Sequence, residues 1–277
     1  MPKSWLITGT SSGFGRELTD LLLARGDTVA ATLRKPGALD DLKAIHGDRL
    51  WVGYADVTDT AALRKVVDDA FTALGHVDFA VSNAGYGLFG GAEEVSDDQI
   101  RRQIDTNVIG SVQFARAVLP HFRNQESGHF FQIASALGQS AIPFASLYGL
   151  SKWAVEGFFE ALAQEVASLG IKVTIVEPGG AKTDFGTRSG DLAPALDAYA
   201  NTPVGYIRTH MASMADAAKG DPRKMAQAII DVSERPESPL RLALGSDAYE
   251  QITTALRQRF EAIEAQKELA FSTDFTN

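Results

Sequence analysis

Short apolar runs alternate with longer amphipathic stretches along almost the whole chain. Seven runs have the length of strands, and most are apolar on both faces, as in a sheet covered by helices on each side. They are residues 4–8, 28–33, 50–55, 77–82, 129–134, 172–177 and 241–245. Helical patterns fill the intervals, at roughly 13–25, 59–74, 97–123, 146–169, 222–233 and 246–268. This alternation predicts parallel strands joined by right-handed crossovers.

One segment, residues 184–221, has no clear periodicity. An irregular stretch of that length inside a compact domain is typical of a lid or binding segment. No linker, repeat or change of composition divides the chain of 277 residues. We therefore expect a single α/β domain over residues 1–277, with residues 184–221 as a flexible substrate-binding flap.

Composition narrows the possible functions. The formal net charge of −9 disfavours nucleic acid and anionic membranes as partners, because both are bound through basic patches. The chain has no cysteine, which excludes disulfides and thiolate chemistry, and its five histidines have no metal-like spacing. The opening "MPKSWLITGT" leaves no room for a signal peptide. We expect a soluble, cytoplasmic protein that uses no metal.

Glycines cluster where the first strand meets the first helix, in "TGTSSGFG" at residues 8–15. Backbone N–H groups and the helix dipole at such a junction can receive a pyrophosphate. A side chain at Gly13 or Gly15 would block a close approach. The spacing is neither the common G-x-G-x-x-G pattern nor a P-loop. On this motif alone, a tight strand-to-helix turn remains an alternative.

Tyr148 and Lys152 are four positions apart in a helical pattern, so their side chains share one helix face. A nearby ammonium stabilises a phenolate and so lowers the pKa of the phenol. Tyr148 could then act as a general acid or base towards a carbonyl or an alcohol. A surface lysine beside a half-buried tyrosine is the structural alternative.

Two further polar residues occupy unusual positions. Ser135 lies at the carboxyl end of the fifth strand, where open α/β sheets bind ligands, and its hydroxyl could bond a reacting oxygen. No G-x-S-x-G elbow surrounds it, which argues against a hydrolase nucleophile. Asn107 lies inside an apolar helix, where an amide needs a partner. A structural strand-end cap and a helix-kinking residue are the respective alternatives.

Taken in order, these motifs resemble the short-chain dehydrogenase/reductase family over most of the chain. The resemblance rests on "TGTSSGFG" at 8–15, "DV" at 56–57, "NAG" at 83–85, Asn107, Ser135, "YGLSK" at 148–152 and "PGGAKT" at 178–183. It implies a doubly wound Rossmann-type domain with helices on both faces of a seven-stranded, mainly parallel sheet. The implied strand order is 3-2-1-4-5-6-7.

The resemblance also implies hydride transfer between a nicotinamide cofactor and a ketone, an aldehyde or a secondary alcohol. The catalytic residues would be Asn107, Ser135, Tyr148 and Lys152, with Tyr148 as the acid–base group. By the same resemblance, Asn107 holds a water that connects Lys152 to solvent. The cofactor-binding residues would be Gly9, Ser11, Ser12, Gly13, Phe14, Gly15, Arg34, Asp56, Val57, Asn83, Ala84, Gly85, Tyr148, Lys152, Pro178, Gly179 and Thr183.

The end of the second strand bears on the choice of cofactor. Leu33 and Arg34 stand where a carboxylate would bind the ribose 2′-hydroxyl of NAD(H). A guanidinium fits a 2′-phosphate instead, so we expect a preference for NADP(H), unless Arg34 is only a solvated surface cation.

The substrate wall is expected from the loop at 136–147 and from the flap, in particular from Leu137, Ile142, Phe144 and Phe185. By resemblance the chain forms a homodimer or homotetramer. The main rival function is an NADPH-sensing or binding protein of the same fold without turnover. Such a protein usually lacks one of the four catalytic residues, and this chain has all of them.

Overall fold

The fold is centred on a parallel sheet. The computed structural model describes residues 2–183, 185 and 190–275. The strands in these ranges are β1 (Ser4–Thr8), β2 (Thr28–Leu33), β3 (Leu50–Tyr54), β4 (Phe79–Ser82), β5 (Gly87–Phe89), β6 (Gly128–Ile133), β7 (Ile171–Pro178), β8 (Gly190–Leu192) and β9 (Arg241–Leu244). Seven of them form one sheet in the order β3-β2-β1-β4-β6-β7-β9. Every neighbouring pair in it is parallel. Counted along the chain, this is the order that the resemblance implied, and the predicted fold is confirmed.

Helices connect these strands and cover both faces of the sheet. They are α1 (Gly13–Arg25), α2 (Asp40–His46), α3 (Thr60–Leu74), α4 (Asp97–Ile104), α5 (Gly110–Gln125), α6 (Ser146–Val166), α7 (Pro203–Asp216), α8 (Pro222–Ser233), α9 (Ser246–Glu264) and α10 (Lys267–Phe271). None of the helices in the described ranges combines the length and the apolarity needed to cross a bilayer.

Two apolar clusters, one on each face, hold the layers together. Trp5 and Ile7 of β1 pack with residues of α1, α2 and α8, whereas Leu6 between them packs with residues of α3, α5 and α6. Successive strand side chains point to opposite faces, so an unbroken apolar run buries both. This explains why the central strands are apolar throughout.

The predicted helix at 97–123 is in fact interrupted. It begins with a capping box in which Ser96 and Gln99 bond each other's backbone, and α4 ends at Ile104. Residues Asp105–Ile109 then form a π-helical turn before α5 begins. Such wide turns often occur at functional sites, and this one contains Asn107. A sequence pattern of buried positions does not distinguish a continuous helix from one with a single wide turn.

Residues 184 and 186–189 of the predicted flap lie outside the described residues, and the described part, residues 185 and 190–221, contains more regular structure than its sequence predicts. It contributes β8, which pairs with β5 in a separate two-stranded parallel sheet, and it contains the helix α7. Three-residue strands are too short to show a period. Within α7 only Gly205 is buried, so that helix lacks an apolar stripe. The role of this segment as a substrate-binding flap stays a prediction.

Candidate active site

In the glycine turn between β1 and α1, Gly9 and Gly15 pack closely against the end of β4, whereas Gly13 borders open space. Gly9 has φ +71°, and a Cβ there would lie 2.8 Å from the Cα of Ala84. A Cβ on Gly15 would lie 2.5 Å from Nδ2 of Asn83. Gly13 differs, because it has φ +56° and no heavy atom within 4 Å of a Cβ position. Gly9 and Gly15 thus leave room for the Asn83–Ala84 backbone and side chain, and Gly13 leaves room for a ligand.

Asn83 ties this turn to the end of β4. Its Nδ2 donates to the carbonyl oxygens of Thr8 and Gly9, at 2.9 Å each. The Thr8 hydroxyl in turn accepts from the backbone N–H of Asn83 at 3.0 Å and of Ala84 at 3.1 Å. The family resemblance implied that Asn83, Ala84 and Gly85 bind the cofactor. The structure gives Asn83 the additional task of fixing the shape of the glycine turn.

Asn107 links the π-helical turn to the same region. Its Oδ1 accepts from the Tyr86 N–H at 3.1 Å, while its Nδ2 donates to the Tyr86 carbonyl at 2.9 Å and to Oγ of Ser151 at 3.2 Å. A Cβ on Gly85 would lie 3.1 Å from that Oδ1. The buried amide therefore has the partners that its position requires. The implied role of Asn107 in holding a water stays a prediction.

Tyr148 is buried near the start of α6, with the rings of Phe89 and Phe185 at centroid distances of 5.8 and 5.6 Å. Burial raises the pKa of Tyr148 to about 12, and the Ser135 side chain opposes that shift. The sequence predicted a lowered value, and for this structure that prediction is wrong. The physical reason is that the phenol is itself buried, and the cost of removing its charged form from water outweighs the opposing hydrogen bond with Ser135, while the Lys152 amine lies 5.7 Å from the ring centroid.

Lys152 is held beside Tyr148 by the end of β6. Its Nζ donates to the carbonyl of Ile133 at 2.9 Å. Burial lowers the pKa of Lys152 to about 8, and the charge of Glu156 acts in the opposite direction. The expected pairing of a phenol and an amine on one face of α6 is therefore present, in a dry environment.

Ser135 lies two residues beyond the last residue of β6, at the carboxyl end of the strand where the sequence placed it. Its hydroxyl accepts from the Leu137 N–H at 3.2 Å and so caps the short 3-10 turn Ala136–Gly138. The interaction of its side chain with the Tyr148 phenol places the serine and the tyrosine together. Ser135, Tyr148 and Lys152 thus meet at the carboxyl end of the sheet.

A cavity of about 510 Å³ lies at the ends of β2 and β3. Its lining consists of Arg34, Lys35, Tyr54, Ala55, Asp56 and Ala62. The Arg34 side chain is 77% exposed, and its guanidinium is 3.9 Å from the Asp56 carboxylate, which is a loose contact. Sequence reasoning found Arg34 and Asp56 but missed Lys35 and Tyr54. A second cation directly after the first was the signal available.

The other predicted cofactor residues frame the same edge of the sheet. Ser12 is the N-cap of α1 without a side-chain cap bond, Ser11 is exposed, and Phe14 packs on the core. Val57 packs against the start of α5, where a Cβ on Gly110 would lie 2.9 Å from it.

At the end of β7, the Gly179 N–H donates to the carbonyl of Leu244 at 2.9 Å. Pro178 is the last residue of that strand. The Thr183 hydroxyl accepts from the Phe185 N–H at 3.3 Å. These residues therefore lie beside the segment that carries Phe185 to Tyr148.

The predicted substrate residues divide into two groups. Phe144 is buried with φ +72°, and Phe185 lies against Tyr148, whereas Leu137 is half-buried and Ile142 is exposed. Sequence reasoning missed Phe89, whose ring also neighbours Phe144 at a centroid distance of 6.2 Å. No local pattern marks a single phenylalanine in a three-residue strand. The structure places the rings of Phe89 and Phe185 beside the phenol, with Phe144 against Phe89.

An ion pair between Arg208 and the buried Glu94 packs against the Phe144 ring. The guanidinium of Arg208 on α7 lies 5.1 Å from the centroid of the Phe144 ring and donates to Glu94 at 2.6 Å. Glu94 also accepts from the backbone N–H groups of Gly91 and Leu196. The pKa of Glu94 is below its usual range: burial alone would raise it, but these N–H groups and Arg208 outweigh burial. The segment that was expected to be an irregular flap is therefore anchored by a charge.

Within the described ranges, no three His, Asp or Glu side chains are grouped as metal ligands would be. His129, the buried histidine of β6, bonds the Thr174 hydroxyl at 2.9 Å.

Known proteins resemble this chain closely. The model of the short chain dehydrogenase family matches residues 3–191. Oxidoreductase BOA17 of Botryotinia fuckeliana is 36% identical over 274 residues, which cover 99% of this chain and 100% of that protein. 3-Ketodihydrosphingosine reductase of Bacteroides thetaiotaomicron is 34% identical over 247 residues, 88% of each chain.

A solved structure also resembles this chain over almost its whole length. The crystal structure of a short-chain dehydrogenase from Streptomyces avermitilis has a TM-score of 0.93 and 38% sequence identity, with 99% of this chain and 100% of that chain covered. Together with the shared sheet order and the grouping of Ser135, Tyr148 and Lys152, these matches show that the chain belongs to the short-chain dehydrogenase family, oxidoreductases that act on CH–OH or C=O groups.

Proposed function

We propose that this protein transfers a hydride between NADP(H) and a ketone, an aldehyde or a secondary alcohol, with Tyr148 as the general acid and base. The observation that carries the proposal is the buried phenol of Tyr148, which interacts with the Ser135 side chain and has the Lys152 amine 5.7 Å from its ring centroid. A proton donor in a dry site at the carboxyl end of a parallel sheet is suited to carbonyl chemistry.

The residues present fit a nicotinamide dinucleotide. Gly13 leaves open space at the N-terminus of α1, where backbone N–H groups favour a pyrophosphate. Arg34 and Lys35 border the cavity at the ends of β2 and β3, and no carboxylate stands at the end of β2. Two cations there favour a 2′-phosphate over a bare ribose. The bound cofactor would supply or accept the hydride.

In the reducing direction, Tyr148 would donate its proton to the carbonyl oxygen. Its raised pKa means that the phenol is protonated throughout the neutral range, as a proton donor must be. The Ser135 hydroxyl is placed to hydrogen-bond the same oxygen and stabilise its developing charge. A charged Lys152 would stabilise the phenolate that the transfer leaves behind.

The wall around Tyr148 favours an apolar substrate. The rings of Phe89, Phe144 and Phe185 offer no hydrogen-bond donor or acceptor. A hydroxyl or charge pressed against them would lose its water without replacement, at a cost of about 1–3 kcal/mol for a neutral polar group. We therefore propose carbonyl compounds with an apolar substituent beside the reacting carbon.

The deciding experiment is a screen of ketones, aldehydes and secondary alcohols, followed by the absorbance of the reduced nicotinamide. Tyr148→Phe should lose at least about 100-fold in kcat, the low end of what acid–base groups supply, and should retain NADPH binding. Tyr206→Phe is the matched control, because Tyr206 is 63% exposed. NADPH binding without turnover of any compound would instead identify a cofactor sensor.

We further propose a homodimer or homotetramer in the cytoplasm. The proposal rests on the family resemblance and on exposed apolar side chains on α6, among them Leu150 and Trp153. Phe114 on α5 and Leu162 on α6 are buried in the core and cannot contribute. A light-scattering mass near the monomer value of 29.7 kDa would contradict this part of the proposal.

A further inference from the structure

Two buried carboxyl groups, one of them a helical turn beyond Lys152, have no part in the proposed mechanism. Glu156 is one helical turn beyond Lys152 on α6, and Glu177 lies near the end of β7. Their side chains are 6% and 2% exposed. Both approach one guanidinium: Nε of Arg241 on β9 is 3.0 Å from Oε2 of Glu156 and 3.4 Å from Oε1 of Glu177. One cation is thus shared by two buried acids.

Glu177 has more hydrogen-bond donors around its carboxyl group than Glu156 has. Oε1 of Glu177 also accepts from Nε2 of Gln139 at 2.6 Å. Oε1 of Glu156 is buried without a hydrogen-bond partner among the described residues. Burial and the charge of Glu177 raise the pKa of Glu156, and Arg241 opposes them. Glu156 therefore holds a proton more readily than an ordinary glutamate does.

Other charged groups complete the surroundings. Glu160, one turn further along α6, accepts from Nη2 of Arg241 at 2.9 Å but is half exposed. Arg259 of α9 donates to the backbone of Gln139 at 2.7 Å and lies over the ring of Trp153. The described groups that face Glu156 most directly are therefore Lys152, Glu177, Arg241 and Glu160.

Glu156 and Lys152 are coupled through space on one helix face. Side chains four positions apart are neighbours on a helix, and little water separates these two because both are buried. The loop after Ser135 packs against both, since a Cβ on Gly138 would lie 3.1 Å from Oε1 of Glu156 and 3.3 Å from the Lys152 carbonyl. Among the described residues the Lys152 amine bonds the Ile133 carbonyl and the Glu156 carboxylate pairs with Arg241, so a charge on Glu156 acts on the amine across the buried space between them and not by a direct ion pair.

We propose that Glu156 is a positioning residue that sets the charge of Lys152: its ionised carboxylate keeps the amine protonated, and Glu177 weakens this effect by favouring a proton on Glu156. The catalytic consequence rests on the proposed function, because a charged Lys152 matters there for stabilising the Tyr148 phenolate. The electrostatic coupling itself does not depend on turnover.

The test is a pH titration of Lys152 in the full-length protein, by NMR of chains labelled at the lysine ε-carbon. The Lys152 signal is assigned as the one that Lys152→Arg removes. Glu156→Gln should lower the pKa of Lys152 by about one unit, because an opposite charge nearby is lost. Glu177→Gln should raise it, by a smaller amount, because Glu156 then ionises more readily.

Glu160→Gln is the matched control, since it removes a carboxylate from the same arginine while leaving the buried pair intact. It should leave the titration of Lys152 within about 0.2 units of the wild type, because exposed charges are screened. Opposite shifts in the two buried variants support the proposal. Shifts of the same sign, or an unchanged Lys152 in Glu156→Gln, overturn it.

Activity provides the second readout. The alkaline limb of the kcat profile should move to lower pH in Glu156→Gln and to higher pH in Glu177→Gln, in parallel with the NMR titration. Unchanged kcat profiles beside shifted Lys152 titrations would overturn the catalytic part of the proposal. Absence of turnover in the wild type would refute the proposed function, and the NMR titration would still decide the coupling.

Discussion

Asn107 and Tyr86 are joined by two hydrogen bonds of opposite direction, one accepted from the Tyr86 N–H at 3.1 Å and one donated to the Tyr86 carbonyl at 2.9 Å. A single amide side chain thereby replaces the pairing that a neighbouring strand would give this residue. The π-helical turn places Asn107 for both bonds. The segment from Asn83 to Tyr86, which borders both the glycine turn and the catalytic helix, depends on this contact.

Asn107→Ala should therefore destabilise the protein by about 1–3 kcal/mol, because the partly buried Tyr86 N–H loses its partner. Gln103 still donates to the Tyr86 carbonyl, which limits the loss. Urea unfolding measures the change. Asn124→Ala, on the exposed face of α5, is the control and should change stability by less than about 0.5 kcal/mol. Equal effects of the two substitutions would contradict the structural role given to Asn107.

Arg34→Ala should reduce kcat/KM for NADPH by about 10- to 150-fold, the equivalent of a charge-assisted contact worth 1.5–3 kcal/mol, and should leave NADH almost unaffected. Its side chain is exposed and only loosely contacts Asp56, so it is available to a phosphate. The measurement is kcat/KM for both cofactors. Arg235→Ala, an exposed arginine outside the cavity, is the control. Equal use of both cofactors by the wild type would show that Arg34 remains in solvent.

Arg208→Met should destabilise the protein by about 3 kcal/mol, because Glu94 would be left buried without its cation. The Glu94 side chain is 1% exposed, so water cannot replace the guanidinium without local opening. Chemical unfolding measures the loss. Arg101→Gln removes a surface pair with Asp98 and should cost less than about 0.5 kcal/mol. Similar losses in both variants would show that the buried Glu94–Arg208 pair contributes no more to stability than an exposed pair does.

His129 should make the protein less stable as the pH falls below about 6.5. Burial, with a smaller contribution from the charge of Lys172, lowers the pKa of His129 to about 3. Between pH 3 and 6.5 the unfolded chain binds a proton on His129 that the folded chain does not bind, so the free energy of unfolding rises with pH. At pH 5 the effect amounts to about 2 kcal/mol.

The measurement is the free energy of unfolding at pH 7.5 and at pH 5, for the wild type and His129→Gln. The variant should lose about 2 kcal/mol less than the wild type over that interval. His76→Gln, at an exposed position, should behave as the wild type. A wild-type pH dependence in His129→Gln would assign the acid sensitivity to other groups.

Much of the fold was readable from local pattern. Apolar runs such as the one in β1 predicted strands buried on both faces, and the spacing of Tyr148 and Lys152 predicted a shared helix face. Both predictions depend only on the helix or strand period, so the residues of a single element are enough to make them. The wide turn at Asn107 escaped prediction because it changes the backbone without changing that pattern.

The ionisation of the site could not be read in this way. An ammonium near Tyr148 predicted a lowered phenol pKa, yet the folded chain buries both groups, and the pKa of Tyr148 rises. Desolvation depends on everything packed around a group, and much of what surrounds Tyr148 comes from distant parts of the chain, as Phe89 does.

The sequence by itself determined the order of elements and the residues brought to the carboxyl edge of the sheet, since hydrophobic period and spacing are local properties. Only the tertiary structure decided which of them touch. Arg208 meets Glu94 across 114 positions, and β5 pairs with β8 although neither strand has a period of its own. Such contacts arise because burial favours partners for polar groups wherever the fold brings the chain together, a property of the whole molecule.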